Sequence, residues 1–262
     1  MSLAFATTAK VTVTDASNLL NWDVGTLIYW VYRTGSGASG GSRVEQKGLS
    51  SSGIRGWFVS PGTPETTELQ VRRATADISV IASLGNFSAE GTNKWACWAA
   101  TWDAGGADGD QIIAIGDLTT ALAEPSSYTT QVVGSGSTGD NTGHNLIVGN
   151  HPTLSLAFPG RLAIAYRANV HSTLAQMQAL QFRLLVNSSN VKGLYHLGWN
   201  GTSTQPDWSG SGNPGTVTSA TLADHVPLGP AFGYWRGWQG NFTAAAASPA
   251  GTFHMPSLFA VG

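Results

Sequence analysis

The chain has 262 residues, enough for one large domain with its own core, and 42% of them are hydrophobic. Only 11% are charged and the net charge is −2, with Lys and Arg scattered, so the basic patch that nucleic acid or an anionic membrane surface selects is missing. Ser, Thr, Asn and 33 glycines stand where charges usually do, a turn-rich composition that suits all-β proteins.

The amino terminus, MSLAFATTAKVTV, has neither a basic leader nor a long apolar core, so no signal peptide is expected. No run reaches the length of a transmembrane helix. The single cysteine, Cys97, excludes an internal disulfide and sits among tryptophans, where it is expected to be a small buried apolar residue.

In chain order, Lys10 to Val13 reads as a short strand and Thr26 to Arg33, TLIYWVYR, as a strong one that is apolar on both alternations. After a small-residue loop, Arg43 to Lys47, Ile54 to Val59, Glu68 to Arg73 and Asp77 to Ala82 alternate with Gly and Pro, the spacing of a sandwich or barrel. Asn93 to Asp103, NKWACWAATWD, puts Trp95, Cys97, Ala99 and Thr101 on one alternation and Ala96, Trp98, Ala100 and Trp102 on the other. Apolar residues on both faces predict a central strand covered on two sides. Gln111 to Ile115 is a further strand with a turn expected at Gly116-Asp117, and His144 to Gly149 and Phe158 to Tyr166 follow.

Leu174, Met177, Leu180 and Leu184 recur at helical spacing and predict one helix over Ser172 to Leu185, capped by Ser172 or Thr173. Gly193 to Trp199 and Thr216 to Thr221 close the series of strands. From about Pro227 the composition turns to Pro, Gly, Ala and aromatics. The expected organisation is therefore a β-domain over 1–226 and an arm over 227–262 that docks on a neighbouring subunit.

Four places carry a resemblance: the early strand IYWVY within Thr26 to Arg33, the pattern W-x-x-x-A-x-T-W-D from Trp95 to Asp103, the pair of Leu146 to Asn150 with Phe158 to Gly160, and the helix from Leu174 to Leu180. Together they resemble the laminin-G-like, concanavalin A-like lectin and glucanase superfamily. The segment DWSGSGNPGT, Asp207 to Thr216, is similar to the closing strand of jelly-roll proteins from phage and environmental genomes. The resemblance implies an all-β antiparallel jelly-roll β-sandwich with one short α-helix. AIGD, Ala114 to Asp117, departs from the usual hairpin of the family.

Some relatives of that kind hydrolyse glucans with paired carboxylates on one strand face. The glutamates here, Glu45, Glu65, Glu68, Glu90 and Glu124, have no such spacing, and Glu65 and Glu68 read as solvated charge beside a turn, so no enzyme is expected. The histidines form no zinc pattern. Asp103, Asp108 and Asp110 in DAGGADGD are the candidate calcium ligands, although a solvated acidic turn would look the same. Otherwise no cofactor is expected.

Trp30, Trp95, Trp98 and Trp102 read as core, while Trp22, Trp57, Trp199 and Trp208 lie near turns and are candidates for exposure. Trp208, Tyr234, Trp235 and Trp238 are the candidate binding residues, for a glycan or a neighbouring subunit. The leading expectation is a non-catalytic phage virion surface protein that decorates a capsid or tail, is made in host cytoplasm, and contacts other virion subunits or itself through the arm, with a glycan-adhesive role. A soluble bacterial carbohydrate-binding module or lectin is the alternative, and a glycan-active enzyme the weakest. Neither nucleic acid nor membrane is expected as a partner.

Overall fold

The computed structural model describes residues 1–19, 22–36, 41–48, 54–60 (backbone only), 64–153, 156–182 and 189–228. The chain divides into two units, Met1–Leu228 and Gly229–Gly262, and every described residue lies in the first.

In chain order the strands are β1 (Ser2–Phe5), β2 (Lys10–Val13), β3 (Val24–Arg33), β4 (Ser42–Lys47), β5 (Ile54–Ser60), β6 (Thr66–Val71) and β7 (Ile78–Ser83). They continue as β8 (Trp95–Asp103), β9 (Ile112–Asp117), β10 (Thr130–Val132), β11 (Leu146–Val148) and β12 (Gly160–Ala168). The helix α1 (Leu174–Gln181) precedes β13 (Val191–His196), β14 (Gly215–Thr218) and β15 (Thr221–Ala223). One sheet has seven strands in the order β15-β1-β12-β3-β8-β9, with β13 also on β12; the other has eight, β10-β7-β6-β5-β4-β11-β2-β14. The pairs joining these strands are antiparallel, which makes the molecule a jelly-roll sandwich.

Period two sorts the strands as their sequences suggest. Leu27, Tyr29 and Val31 of β3 and Ala96, Trp98, Ala100 and Trp102 of β8 enter the core between the sheets. Ile28, Trp30, Trp95, Cys97 and Ala99 face the other way, into a second cluster closed by Met177 of α1. This helix ends at Gln181, not Leu185, and Leu184 lies outside the described residues. Thr173 is its N-cap, in a capping box with Gln176. Gln181, wholly buried, fixes the other end by taking a hydrogen bond from Leu122 N (2.8 Å) and donating to the carbonyls of Asp117 and Thr120 (2.8 and 2.9 Å).

The structure adds β1 and β10, which the sequence reading omits, and moves the turn after β9: Gly116 and Asp117 are still strand, and Asp117 caps the following bend through the N–H groups of Thr119 and Thr120 (2.9 and 2.8 Å). Thr216 to Thr221 is not one strand. Ser219, at φ 55°, breaks it into β14 in one sheet and β15 in the other.

Two of the segments that carry the resemblance are joints. Gly149 has φ +81° and a Cβ there would lie 2.2 Å from the Phe5 ring, so only glycine fits. Asn150 donates to the carbonyls of Thr7 and Ala9 (both 3.0 Å), tying this loop to the start of β2. Asp207 accepts N–H bonds from Leu194, Ser209 and Asn213 (3.1, 2.9 and 3.0 Å) and so staples the closing loop to β13.

Candidate functional site

The two outer faces differ in chemistry. The outer face of the seven-stranded sheet is covered by α1 and by partly buried apolar residues such as Trp208 and Leu228. Among the described residues no apolar cluster forms on the outer face of the eight-stranded sheet. Alternation from the core residues Leu69, Val71, Val80, Val11 and Val13 puts Glu68, Gln70, Ser79, Thr12 and Lys10 on that face, and Thr216 and Thr218 of β14 continue it.

Over β2 and β11, this polar face holds a cavity of about 260 Å³ lined by Lys10, Thr12, Gly48, Gly143, His144, Asn145, Ile147 and Pro152. Thr12 pairs directly with Ile147 across the β2–β11 ladder and with Thr216 across the other side. The rim from Gly143 to Asn145 is braced from below. Lys47, fully buried, donates to the His144 carbonyl (2.6 Å) and to Asp15, which accepts the Gly143 N–H (2.6 Å) and whose own N–H reaches Asn145 Oδ1 (3.0 Å). Burial alone would raise the Asp15 carboxyl, yet the hydrogen bonds from Lys47 and Gly143 outweigh it and hold it below the usual carboxylate range. Hydroxyl, amide and backbone groups thus stand beside a small apolar surface, the mixture that fixes the orientation of a small ligand.

A second surface is aromatic. Trp208 follows the turn after β13 and packs edge to face with Trp199 (ring centroids 6.0 Å) and His196 (6.1 Å). Trp199 is 40% exposed and forms a ledge at this end of the sandwich. Burial, and then the neighbouring His225, push the His196 imidazole down to about 4. Tyr234, Trp235 and Trp238, the other aromatic candidates, lie outside the described residues, as does the Trp57 side chain. Trp22 is buried despite its place near a turn: it joins the core between the sheets, with the Arg167 guanidinium 5.0 Å from its ring centroid.

The acidic loop is engaged with its own backbone. Asp103 accepts the Gly105 N–H (2.8 Å), Asp110 the Ala107 N–H (2.8 Å), and Asp108 reaches across to Val133 N (2.7 Å). Among the described residues no three His, Cys, Asp or Glu side chains gather in a way that could hold a metal.

Glu65 and Glu68 are not solvated charge. Glu65 and Glu90 both pair with Arg33 (each 2.6 Å), and Glu68 is nearly buried and holds Gln70. Sequence reasoning missed the cavity because its residues come from strands that are distant in the chain. Only the polar alternation of Lys10 and Thr12 hinted at an outward face.

No protein-family model matches the chain, and no curated protein matches it. Among solved structures, a candidate carbohydrate-binding protein from Bacteroides ovatus ATCC 8483 is similar, with a TM-score of 0.57 at 12% identity over 86% of this chain. The chain spans 59% of that protein's length. The native heptameric SAP-like pentraxin of Limulus polyphemus aligns over 86% of this chain and 100% of its own (TM-score 0.47, 10% identity). The enzymatically active domain of tailspike protein 2 of bacteriophage CBA120 aligns over 70% of this chain and 27% of its own (TM-score 0.47, 14% identity). The fold is a lectin-like jelly roll, consistent with the concanavalin A-like resemblance of the sequence.

Proposed function

We propose that this chain is a non-catalytic glycan-binding protein that seats a sugar on the outer face of its eight-stranded sheet. The cavity between Lys10, Thr12, His144, Asn145 and Ile147 carries this reading, because it offers hydroxyl and amide hydrogen-bonding groups beside an apolar contact surface on a rigid sheet. The likeness to a candidate carbohydrate-binding protein supports it. The glutamates support its non-catalytic part, since each has a partner within the fold: Glu45 with Arg167, Glu65 and Glu90 with Arg33, Glu68 with Gln70, and Glu124 with Tyr128. The full chain on a glycan array tests the reading. Binding that is lost when Thr12→Trp fills the cavity is the expected result, and a blank array across all glycan classes contradicts it.

A finer reading makes the chain a phage virion surface component, on a capsid or tail, that meets its neighbours through the arm over 227–262. The phage-like closing segment from Asp207 to Thr216 and the aromatic carboxy-terminal sequence with Tyr234, Trp235 and Trp238 support it. Light scattering on the full chain and on a truncation after Leu228 tests it. An oligomer that becomes a folded monomer on truncation is expected; a full-length monomer excludes self-assembly through this segment.

A further inference from the structure

The charges around the cavity narrow the class of sugar, on the reading that the cavity binds one. Lys10 and His144 line it and, among the described residues, no Asp or Glu does. Among the described residues Lys10 forms no ion pair: the carboxylates of that region are taken, Asp15 by the buried Lys47 and by Gly143 N, and Asp140 by the Thr142 N–H (2.8 Å). Asp140 is exposed and lies close enough to His144 for the imidazole to contribute to its lowered titration, behind the hydrogen bonds from Thr142. Lys47 and Asp15 cancel and Asp140 keeps its charge outside the lining, so Lys10 is the fixed charge that lines the cavity itself.

Asn145 is exposed and spends its Oδ1 on the Asp15 N–H, which leaves its amide N–H groups as donors toward the cavity. Thr12 adds a hydroxyl, and Pro152 adds apolar contact beside the nearly buried Ile147. A neutral sugar would leave the lysine without a counter-charge, whereas a carboxylate meets it directly.

We propose that this cavity selects sugars bearing a carboxylate, uronic or sialic acids, with the carboxylate at Lys10 and His144 and the ring against Pro152. The attraction is between partly exposed charges and weakens as salt is added.

The test is a glycan array carrying uronic-acid and sialic-acid glycans beside neutral counterparts of the same linkage, probed with the full chain, with Lys10→Met and with Lys10→Arg. Binding confined to acidic glycans, falling tenfold or more in Lys10→Met, retained in Lys10→Arg and weakened by NaCl is the expected result. His144→Gln is the second variant, expected to weaken the same glycans, and circular dichroism establishes that each variant is folded. Binding of the neutral partners as strongly as the acidic ones overturns the inference and leaves the glycan-binding reading standing. Acidic binding unchanged in folded Lys10→Met and His144→Gln overturns it as well, by placing the site elsewhere. No binding at all overturns both.

Discussion

Arg167 and Glu45 form an ion pair inside the sandwich, Nη1 to Oε1 2.6 Å, and neither side chain has any exposure to solvent. Tyr29 donates to the other carboxylate oxygen, and the Trp22 ring lies over the guanidinium. The pair joins the sheets, because Arg167 is on β12 of one and Glu45 on β4 of the other. Arg167 Nε and Nη2 are buried without an acceptor among the described residues, so the guanidinium depends on Glu45.

Removing one partner of such a pair leaves a buried charge. Glu45→Ala is expected to lower stability by about 3–5 kcal/mol, and Glu45→Leu with Arg167→Met by much less, since the double change leaves no charge behind. Urea denaturation of the three proteins measures the difference. An equal loss in single and double variants would show that the contribution is packing instead of charge.

Gly25 faces Trp102 so closely that a Cβ would sit 2.2 Å from the indole, and the ring cannot retreat because its N–H is bound to the Trp22 carbonyl (3.1 Å). Gly25→Ala is expected to cost about 1–3 kcal/mol by overpacking, read from the denaturation midpoint. A midpoint equal to wild type would mean that the indole has room to shift.

These two positions show what the sequence could and could not convey. The two-sided apolar alternation of Trp95 to Trp102 was legible because period two is a local property, and so was the helix at Leu174, with its cap narrowed to Ser172 or Thr173. Glu45 stood in the predicted strand Arg43 to Lys47 with no role assigned, and only the packing of the sheets shows that it faces Arg167, far along the chain. The cavity was hidden for the same reason: Lys10 and His144 become neighbours only when β11 enters the sheet beside β2. Trp208 was legible as an aromatic near a turn, but its partner Trp199, the more exposed ring, was not distinguished from other turn tryptophans.

His196 titrates near 4 in the folded protein, below its ordinary value of 6.5, because burial disfavours the imidazolium. The unfolded chain therefore takes up the proton first as pH falls, and stability declines between pH 6.5 and about 4, by up to about 3 kcal/mol from this group. His196→Gln is expected to flatten that part of the profile. Thermal melts across the window, followed by tryptophan fluorescence because Trp208 touches the ring, measure it; a variant profile that parallels wild type would assign the decline to other groups.

Cys97 has no solvent exposure, and burial pushes its thiol far above the ordinary range. A thiol reagent is expected to leave the native protein unmodified and to label one site per chain in denaturant. Rapid labelling of the folded protein would contradict the packing of β8 against α1.

The most direct test of the central claim compares two sites on one protein. Isothermal titration of the strongest array glycan into wild type, Thr12→Trp and Trp199→Ala separates the sheet-face cavity from the aromatic ledge. Loss of binding in Thr12→Trp, with Trp199→Ala close to wild type, is the predicted result. Retained binding in Thr12→Trp with loss in Trp199→Ala would contradict the account and move the site to the Trp199 ledge.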